Sequence, residues 1–274
     1  MEYYKLKGKR LIKNKDIKVY LLEDRVDIYN DMARTMVNKL KENNNKGKKT
    51  SFILPVGPSG QYVRFAQICN YEKISCSNLI TINMDEYLDE QDNYISEKHP
   101  TSFRAFMQNN LFKNLNYNLR TKPENIFFPD PKDVASIEKL IMELGGVDIC
   151  FGGVGINGHI AFNEPIRDGS VQVNEYKKLK TRVLSLSKET IVMNSLKYGG
   201  YLELIPRKCI TIGMYEILMS KEIRFYLEHD WQSAVLRKII FEKPTPCFPA
   251  TIIKDHKNSS ITLSKNILMN YMFD

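Results

Sequence analysis

The fold is decided by the segment Cys150-Phe-Gly-Gly-Val-Gly-Ile-Asn-Gly-His-Ile-Ala-Phe-Asn-Glu-Pro165. Its first residues overlap the apolar run Val147-Asp-Ile-Cys-Phe151, which has the length and composition of a buried strand. The chain then passes through a glycine-rich turn and reaches His159 and Glu164, two side chains that can transfer protons near neutral pH. A strand followed by glycines and titratable groups is typical of the carboxyl edge of an open α/β sheet, where such folds bind ligands.

Two other predicted strands end in the same way. Ser51-Phe-Ile-Leu-Pro55 runs into Val56-Gly-Pro-Ser-Gly60 and then into a helix, an arrangement that can offer backbone N–H groups to an anion. Asn78-Leu-Ile-Thr-Ile-Asn-Met84 leads into Asp85 and Glu86, and an acidic pair at that point is either a helix cap or a catalytic base. Because parallel strands share one edge, we expect the three strand ends to form a single site.

Strands and helices alternate along the rest of the chain. Further strands are predicted at 17–22, 126–131, 180–186, 205–213 and 223–227, and a closing strand near 250–253. Apolar residues at helical spacing predict helices at 24–45, 62–68, 106–112, 133–144, 190–197, 214–220 and 233–241. The order predicts an α/β fold: a single doubly wound, Rossmann-like domain over 1–274 with a mostly parallel open sheet.

Composition excludes several classes of protein. The 274 residues are 43% hydrophobic, which is enough for one sizeable core. The net charge is +8, but the basic residues are scattered and not interleaved with aromatic residues, which argues against nucleic-acid binding. The five cysteines lack metal-binding spacing, and no signal peptide or run of about 20 apolar residues is present. We therefore expect a cytoplasmic protein that neither binds nor spans a membrane.

Four motifs carry a resemblance to a known family. Asn83-Met-Asp-Glu-Tyr87, Lys98-His-Pro-Thr-Ser102, Gly152–Pro165 and Pro206-Arg-Lys-Cys-Ile-Thr-Ile-Gly213 resemble the signatures of glucosamine-6-phosphate deaminases (isomerases). The His-Ile-Ala-Phe-Asn-Glu-Pro run distinguishes this family from the related 6-phosphogluconolactonases. The resemblance implies conversion of a small-molecule amino-sugar phosphate into a ketose phosphate and ammonia, with no metal or organic cofactor.

The resemblance also assigns catalytic roles. Asp85 matches the base that moves a proton between C2 and C1, His159 matches the group that opens the pyranose ring, and Glu164 matches a partner of that histidine. A carboxylate beside the imidazole is expected to raise its pKa and to fix its tautomer. Asn157 stands where many members carry a third acidic residue, so it can hold the imidazole by a hydrogen bond but cannot stabilise it as a charge.

Five residues are predicted to bind the substrate: Gly57, Ser59, Gly60, Glu86 and Lys197. The first three form the glycine turn that resembles the phosphate turn of the family. Glu86 follows the proposed base, and Lys197 is a candidate partner for a phosphate because phosphates favour charge-assisted donors.

The phosphate motifs differ from the family at three positions. Pro58 lacks a backbone N–H, Leu196 stands where the family has an arginine, and Gln232 lies close to the position of the family's lysine. The differences predict altered handling of phosphate. Other cations could substitute, and the candidates are Lys197, Arg104 and Arg64. The substrate could instead be galactosamine 6-phosphate, an unphosphorylated amino sugar or another sugar phosphate.

Two further classes of function stay open from the sequence. One is a sugar-sensing domain that has kept the fold without the activity, and the other is a lactonase or a plain aldose–ketose isomerase of the same superfamily. Release of ammonia would distinguish a deaminase from both. The family resemblance allows a monomer or a symmetric homo-oligomer, and the sequence pattern favours neither.

Overall fold

The computed structural model describes residues 3, 6, 8, 11, 12 and 16–269, which form two β-sheets flanked by helices. The strands are β1 (Lys18–Leu22), β2 (Thr50–Leu54), β3 (Leu79–Asn83), β4 (Asp85–Leu88), β5 (Ile126–Phe127), β6 (Ile149–Gly152), β7 (Arg182–Ser185), β8 (Lys208–Thr211), β9 (Ile223–Leu227) and β10 (Ser259–Ser264). The α-helices are α1 (Arg25–Asn45), α2 (Gln61–Tyr71), α3 (Phe103–Asn110), α4 (Ser136–Glu143), α5 (Val173–Tyr176), α6 (Lys188–Ser195), α7 (Met214–Leu218) and α8 (Gln232–Phe241). None of these helices is long and apolar enough to cross a membrane.

The larger sheet has seven strands in the order β1-β10-β9-β6-β2-β3-β5, and every pair of neighbours is parallel. After β1 at one edge, the chain adds β2, β3 and β5 in one direction and then β6, β9 and β10 in the other. A topological switch point therefore lies between β2 and β6, and open α/β sheets bind ligands at such points. The strands that end at Leu54, Asn83 and Gly152 are neighbours, so the prediction that they share one edge is confirmed.

Both faces of the large sheet are covered, which explains why an interior strand such as β2 is buried along its whole length. All five residues of β2 are buried, and successive side chains point to opposite faces. Phe52 and Leu54 pack into a core that includes buried residues of α1 and α2. Ile53 packs into a second core that includes residues of α4, α7 and α8. The predicted doubly wound α/β fold is confirmed.

The smaller sheet corrects part of the predicted topology. The segments predicted as strands at 180–186 and 205–213 are not in the parallel sheet. They form β7 and β8, which pair antiparallel with each other, and β8 pairs antiparallel with β4. Met84 joins the two sheets, because its N–H donates to Leu54 O at 3.1 Å and its carbonyl accepts from Ile212 N at 2.8 Å.

The predicted closing strand near 250–253 was wrong. Residues Pro249–Asp255 form a 3₁₀ helix, and the final strand of the large sheet is β10, between β1 and β9. The apolar run that suggested a strand is buried by packing of the 3₁₀ helix. In β10, Ser and Thr alternate with Ile and Leu, although all six residues are buried. Because its Ser and Thr residues interrupt the apolar pattern, this interior strand was not predicted from the sequence.

Candidate active site

A cavity of about 370 Å³ lies where β2, β3, β6 and β9 end. Four of the predicted site residues line it: Gly57, Asp85, His159 and Lys197. The turns after β2 and β6 touch beneath it, because a Cβ on Gly153 would lie only 3.0 Å from Gly57 O. The three strand ends identified in the sequence therefore contribute to one cavity.

Asp85 is the first residue of β4, immediately after the chain leaves the large sheet. Its side chain lines the cavity, yet the residue is only 6% exposed. Burial and the neighbouring Glu86 raise the pKa of Asp85 to about 8, although Lys197 opposes the rise. The carboxyl group is therefore held near the pKa at which a general base is effective.

Glu86 does not line the cavity, although it was predicted to bind substrate. Its buried carboxylate accepts hydrogen bonds from Phe103 N at 3.0 Å, Arg104 N at 2.8 Å and Ser102 Oγ at 3.1 Å. It therefore binds the N-terminus of α3, where backbone N–H groups lack partners within the helix. The acidic pair was expected to supply either a helix cap or a catalytic base. Asp85 faces the cavity, where a base would act, whereas Glu86 caps α3, a helix that begins far along the chain.

Replacing Glu86 with glutamine is expected to lower the free energy of unfolding by about 2 kcal/mol, because the amide nitrogen cannot accept the bonds made to Oε2. Urea unfolding would measure the loss. Glu90→Gln, the same change at an exposed position, should leave stability within about 0.5 kcal/mol. Equal stabilities of the two variants would contradict the capping role.

The His159 ring is hydrogen-bonded to Asn157, which is hydrogen-bonded in turn to Glu164. Its Nδ1 lies 2.8 Å from Asn157 Oδ1, and Asn157 Nδ2 donates to Glu164 Oε2 at 2.7 Å. Because a carboxylate can only accept, the amide nitrogen must face Glu164, and the amide oxygen is left to accept the Nδ1 proton. Nε2 of the neutral ring therefore carries the lone pair that is available for proton transfer.

Glu164 supports His159 mainly through Asn157. Its Oε2 lies 3.9 Å from Nδ1, and its Oε1 accepts a hydrogen bond from Ser187 N at 3.1 Å. Burial lowers the pKa of His159, and Glu164 offsets only part of that effect. The carboxylate therefore raises this pKa, as expected, but desolvation of the ring is the larger effect, so the net shift is downward.

Replacing Asn157 with aspartate is expected to raise the pKa of His159, because a carboxylate at Nδ1 stabilises imidazolium. NMR titration of the ring would measure the change. The new carboxylate also replaces the donor to Glu164, so we expect a loss of about 2 kcal/mol of stability. Asn109→Asp, at an exposed position, is the matched control. An unchanged His159 titration would contradict the proposed orientation of Asn157.

The first half of the glycine turn, Val56, Gly57 and Pro58, lines the cavity. Gly57 lines the cavity, whereas Ser59 and Gly60 do not. Gly60 packs against the Tyr29 ring, which would lie 2.3 Å from an added Cβ. Lys197 Nζ lies 3.3 Å from the position of a Cβ on Gly57, so the lysine packs against the turn at Gly57.

Sequence analysis missed three cavity residues that follow β9: Glu228, His229 and Trp231. The sequence could have indicated these residues, because β9, like the other strands, is followed by titratable side chains at the carboxyl edge of the sheet. Gln232 holds this segment in place. Its Oε1 accepts from Glu228 N at 2.8 Å and from His229 N at 2.9 Å. Its Nε2 donates to Val154 O at 2.8 Å, so both the oxygen and the nitrogen of the amide bind the backbone.

The fold and the cavity define the class of the protein. A buried carboxyl and a neutral imidazole at the switch point of a doubly wound sheet are the groups of an α/β enzyme that moves protons on a bound substrate.

Relatives of known name identify the family. No family model matches the chain. The chain is 32% identical over 251 residues to a glucosamine-6-phosphate deaminase of Borreliella burgdorferi (strain ZS7), with 87% of each chain covered. It is 32% identical over 216 residues to that of Caenorhabditis elegans, covering 76% of this chain and 74% of the relative. The chain belongs to the glucosamine-6-phosphate deaminase family, which confirms the resemblance seen in its motifs.

Solved structures agree with this assignment. A monomeric glucosamine-6-phosphate deaminase, described as the missing link of the NagB superfamily, superposes with a TM-score of 0.79 at 25% identity, covering 92% of this chain and 98% of its own. A 6-phosphogluconolactonase from Thermotoga maritima shares the fold, with a TM-score of 0.65 at 15% identity over 90% of this chain and 98% of its own.

Proposed function

We propose that this protein isomerises and deaminates an amino sugar, the type of reaction for which its relatives are named. For glucosamine 6-phosphate, the reaction takes up one water and yields fructose 6-phosphate and ammonia. The observation that carries the proposal is that Asp85 and His159, from different strand ends, line one cavity. We place the reaction in the cytoplasm, a location that the five unpaired cysteines support.

The first proposed step is opening of the pyranose ring at His159. Opening a hemiacetal removes a proton from O1 and delivers one to O5. Nε2 of His159 carries a lone pair in the neutral tautomer and can take the proton from O1 and return it to O5. Asn157 keeps this tautomer by accepting the Nδ1 proton at 2.8 Å.

The second proposed step is proton transfer by Asp85. In its ionised form, Asp85 removes the proton from C2 of the open-chain aldehyde, and transfer of a proton from the substrate's ammonium group to O1 completes an enolamine. Return of the C2 proton from Asp85 to C1 leaves a protonated imine at C2. Water adds to the imine carbon, and the C2–N bond breaks to give a ketone and ammonia. The raised pKa of Asp85 suits both halves of this transfer, because the group must first accept and then donate a proton.

Assays of the purified protein would test the proposal. Glucosamine, glucosamine 6-phosphate and galactosamine 6-phosphate are offered in turn, and ammonia and ketose are measured in the same sample. Equal amounts of the two products are expected from at least one sugar. Ketose without ammonia would indicate a plain isomerase, hydrolysis of a sugar lactone would indicate a lactonase, and binding without either product would indicate a sensor.

A further inference from the structure

The N-terminus of α6 lies against the His159 ring. Ser187 caps this helix, because its Oγ accepts a hydrogen bond from Thr190 N at 3.2 Å. Thr190 Oγ1 lies 3.1 Å from His159 Nδ1, the same ring nitrogen that lies 2.8 Å from Asn157 Oδ1. Two oxygen atoms are therefore within hydrogen-bonding distance of Nδ1, one from the loop after β6 and one from the first turn of α6.

The helix cap sets the direction of these hydrogen bonds. Ser187 Oγ accepts from Thr190 N at 3.2 Å and from Asn157 Nδ2 at 3.1 Å, which occupies both of its lone pairs. The Ser187 hydroxyl hydrogen then donates to Thr190 Oγ1, 3.0 Å away. Asn157 Oδ1 accepts the Nδ1 proton, because the amide nitrogen faces Glu164 and Ser187. Thr190 Oγ1 therefore faces a protonated nitrogen and is an acceptor for it.

A second acceptor matters most when His159 takes a proton. Hydrogen bonds from a charged donor are about twice as strong as those between neutral groups, so imidazolium gains more from Thr190 than imidazole does. Asn157 contributes no negative charge. Glu164 is the charged group that acts on the ring, but its Oε2 lies 3.9 Å from Nδ1, beyond hydrogen-bonding distance. Thr190 thus supplies a close oxygen that the carboxylate does not.

The other end of α6 reaches the cavity. Met193 and Asn194, in its last turn, line the cavity, and so does Lys197 just beyond it. Asn194 Nδ2 also donates to the Tyr87 hydroxyl oxygen at 2.8 Å, which ties this end of the helix to β4. One helix therefore links the support of the His159 ring to residues that face a bound substrate.

We infer that Thr190 is a positioning residue for ring opening: together with Asn157, its hydroxyl oxygen holds the Nδ1 proton of His159 and keeps Nε2 in place for proton transfer. Thr190 is fully buried and does not line the cavity, so it acts through His159 and not on the sugar. This inference rests on the deaminase function proposed above and adds a residue to its first step.

Thr190→Val tests the inference, because it removes the hydroxyl and keeps both the side-chain shape and the capped backbone N–H. We expect the pKa of His159 to fall by about 0.5, since imidazolium loses an acceptor. NMR titration of the ligand-free protein would measure it. We also expect exchange between the anomers of bound glucosamine 6-phosphate to slow about tenfold. The exchange is measured in an Asp85→Asn background, where the sugar is not consumed.

Two further variants separate the hydroxyl from the packing of the side chain. Thr190→Ser keeps the hydroxyl and should leave anomer exchange within about threefold of its parent. Thr50→Val makes the same change at a fully buried threonine of β2, whose Oγ1 has no hydrogen-bond partner among the described residues. It is the matched control and should leave both the titration and the exchange unchanged. If Thr190→Val does not fold, Thr190→Ala gives the same comparison.

The outcomes separate the inference from the proposed function. An unchanged His159 titration in Thr190→Val overturns the inference, and ammonia release by the wild type would still leave the deaminase function standing. Equal losses in Thr190→Val and Thr190→Ser also overturn it, because the methyl group and not the hydroxyl would then be responsible. If no sugar releases ammonia, the proposed function fails, and the titration of the ligand-free protein decides whether Thr190 holds the ring.

Discussion

Asp85→Asn is expected to lower kcat for ammonia release by about 1,000-fold, because the carboxamide cannot accept the proton from C2. The fold should be retained. With its pKa raised to about 8, Asp85 is mostly protonated at neutral pH in the empty cavity, and asparagine reproduces that uncharged state. Ammonia release and circular dichroism of the purified variant would measure both effects. Residual activity within about tenfold of the wild type would contradict the role of Asp85 as the base.

The pH dependence of the wild type provides an independent control on this role. A general base acts in its ionised form, so kcat/KM should rise as the pH increases through the pKa of Asp85, about 8. The neutral form of His159 is already favoured by its lowered pKa, so the imidazole should add no loss on the alkaline side. A profile that is flat from about pH 6 to pH 9 would show that another group removes the proton.

His159→Gln is expected to lower kcat by about 100-fold or more, because proton transfer between O1 and O5 then depends on water. The two active-site variants should differ in a measurable way. Asp85→Asn should still accelerate exchange between the α and β anomers of the bound sugar, since anomers exchange through the open chain. His159→Gln should lose this acceleration as well as ammonia release. NMR magnetisation transfer between the anomeric protons would measure the exchange.

A histidine outside the cavity gives the matched control for this second variant. His256 lies after the last 3₁₀ helix before β10, and its Nε2 lies 2.8 Å from Ser220 O. His256→Gln should leave both anomer exchange and ammonia release within about twofold of the wild type. If His159→Gln accelerates anomer exchange as well as this control does, ring opening does not depend on His159.

Local sequence predicted the site best where one segment holds the whole feature. The order of strand, glycines and His159 is contained in 16 residues, and the structure places that histidine in the cavity. The prediction for Glu86 had no such support. The partners of its carboxylate, Phe103 N and Arg104 N, follow it by 17 and 18 positions, and only folding brings them within 3.0 Å.

The sequence by itself determined the doubly wound fold of this protein and predicted its candidate acid/base groups. Buried parallel strands require apolar residues, and a glycine turn at a strand end needs few distant partners, so both leave a local pattern. Only the tertiary structure decided that Asp85 faces the cavity while Glu86 caps α3, and that Lys197 and Glu228 line the same cavity. Burial and the distance between charges set these properties, and both depend on residues that are far apart in the chain.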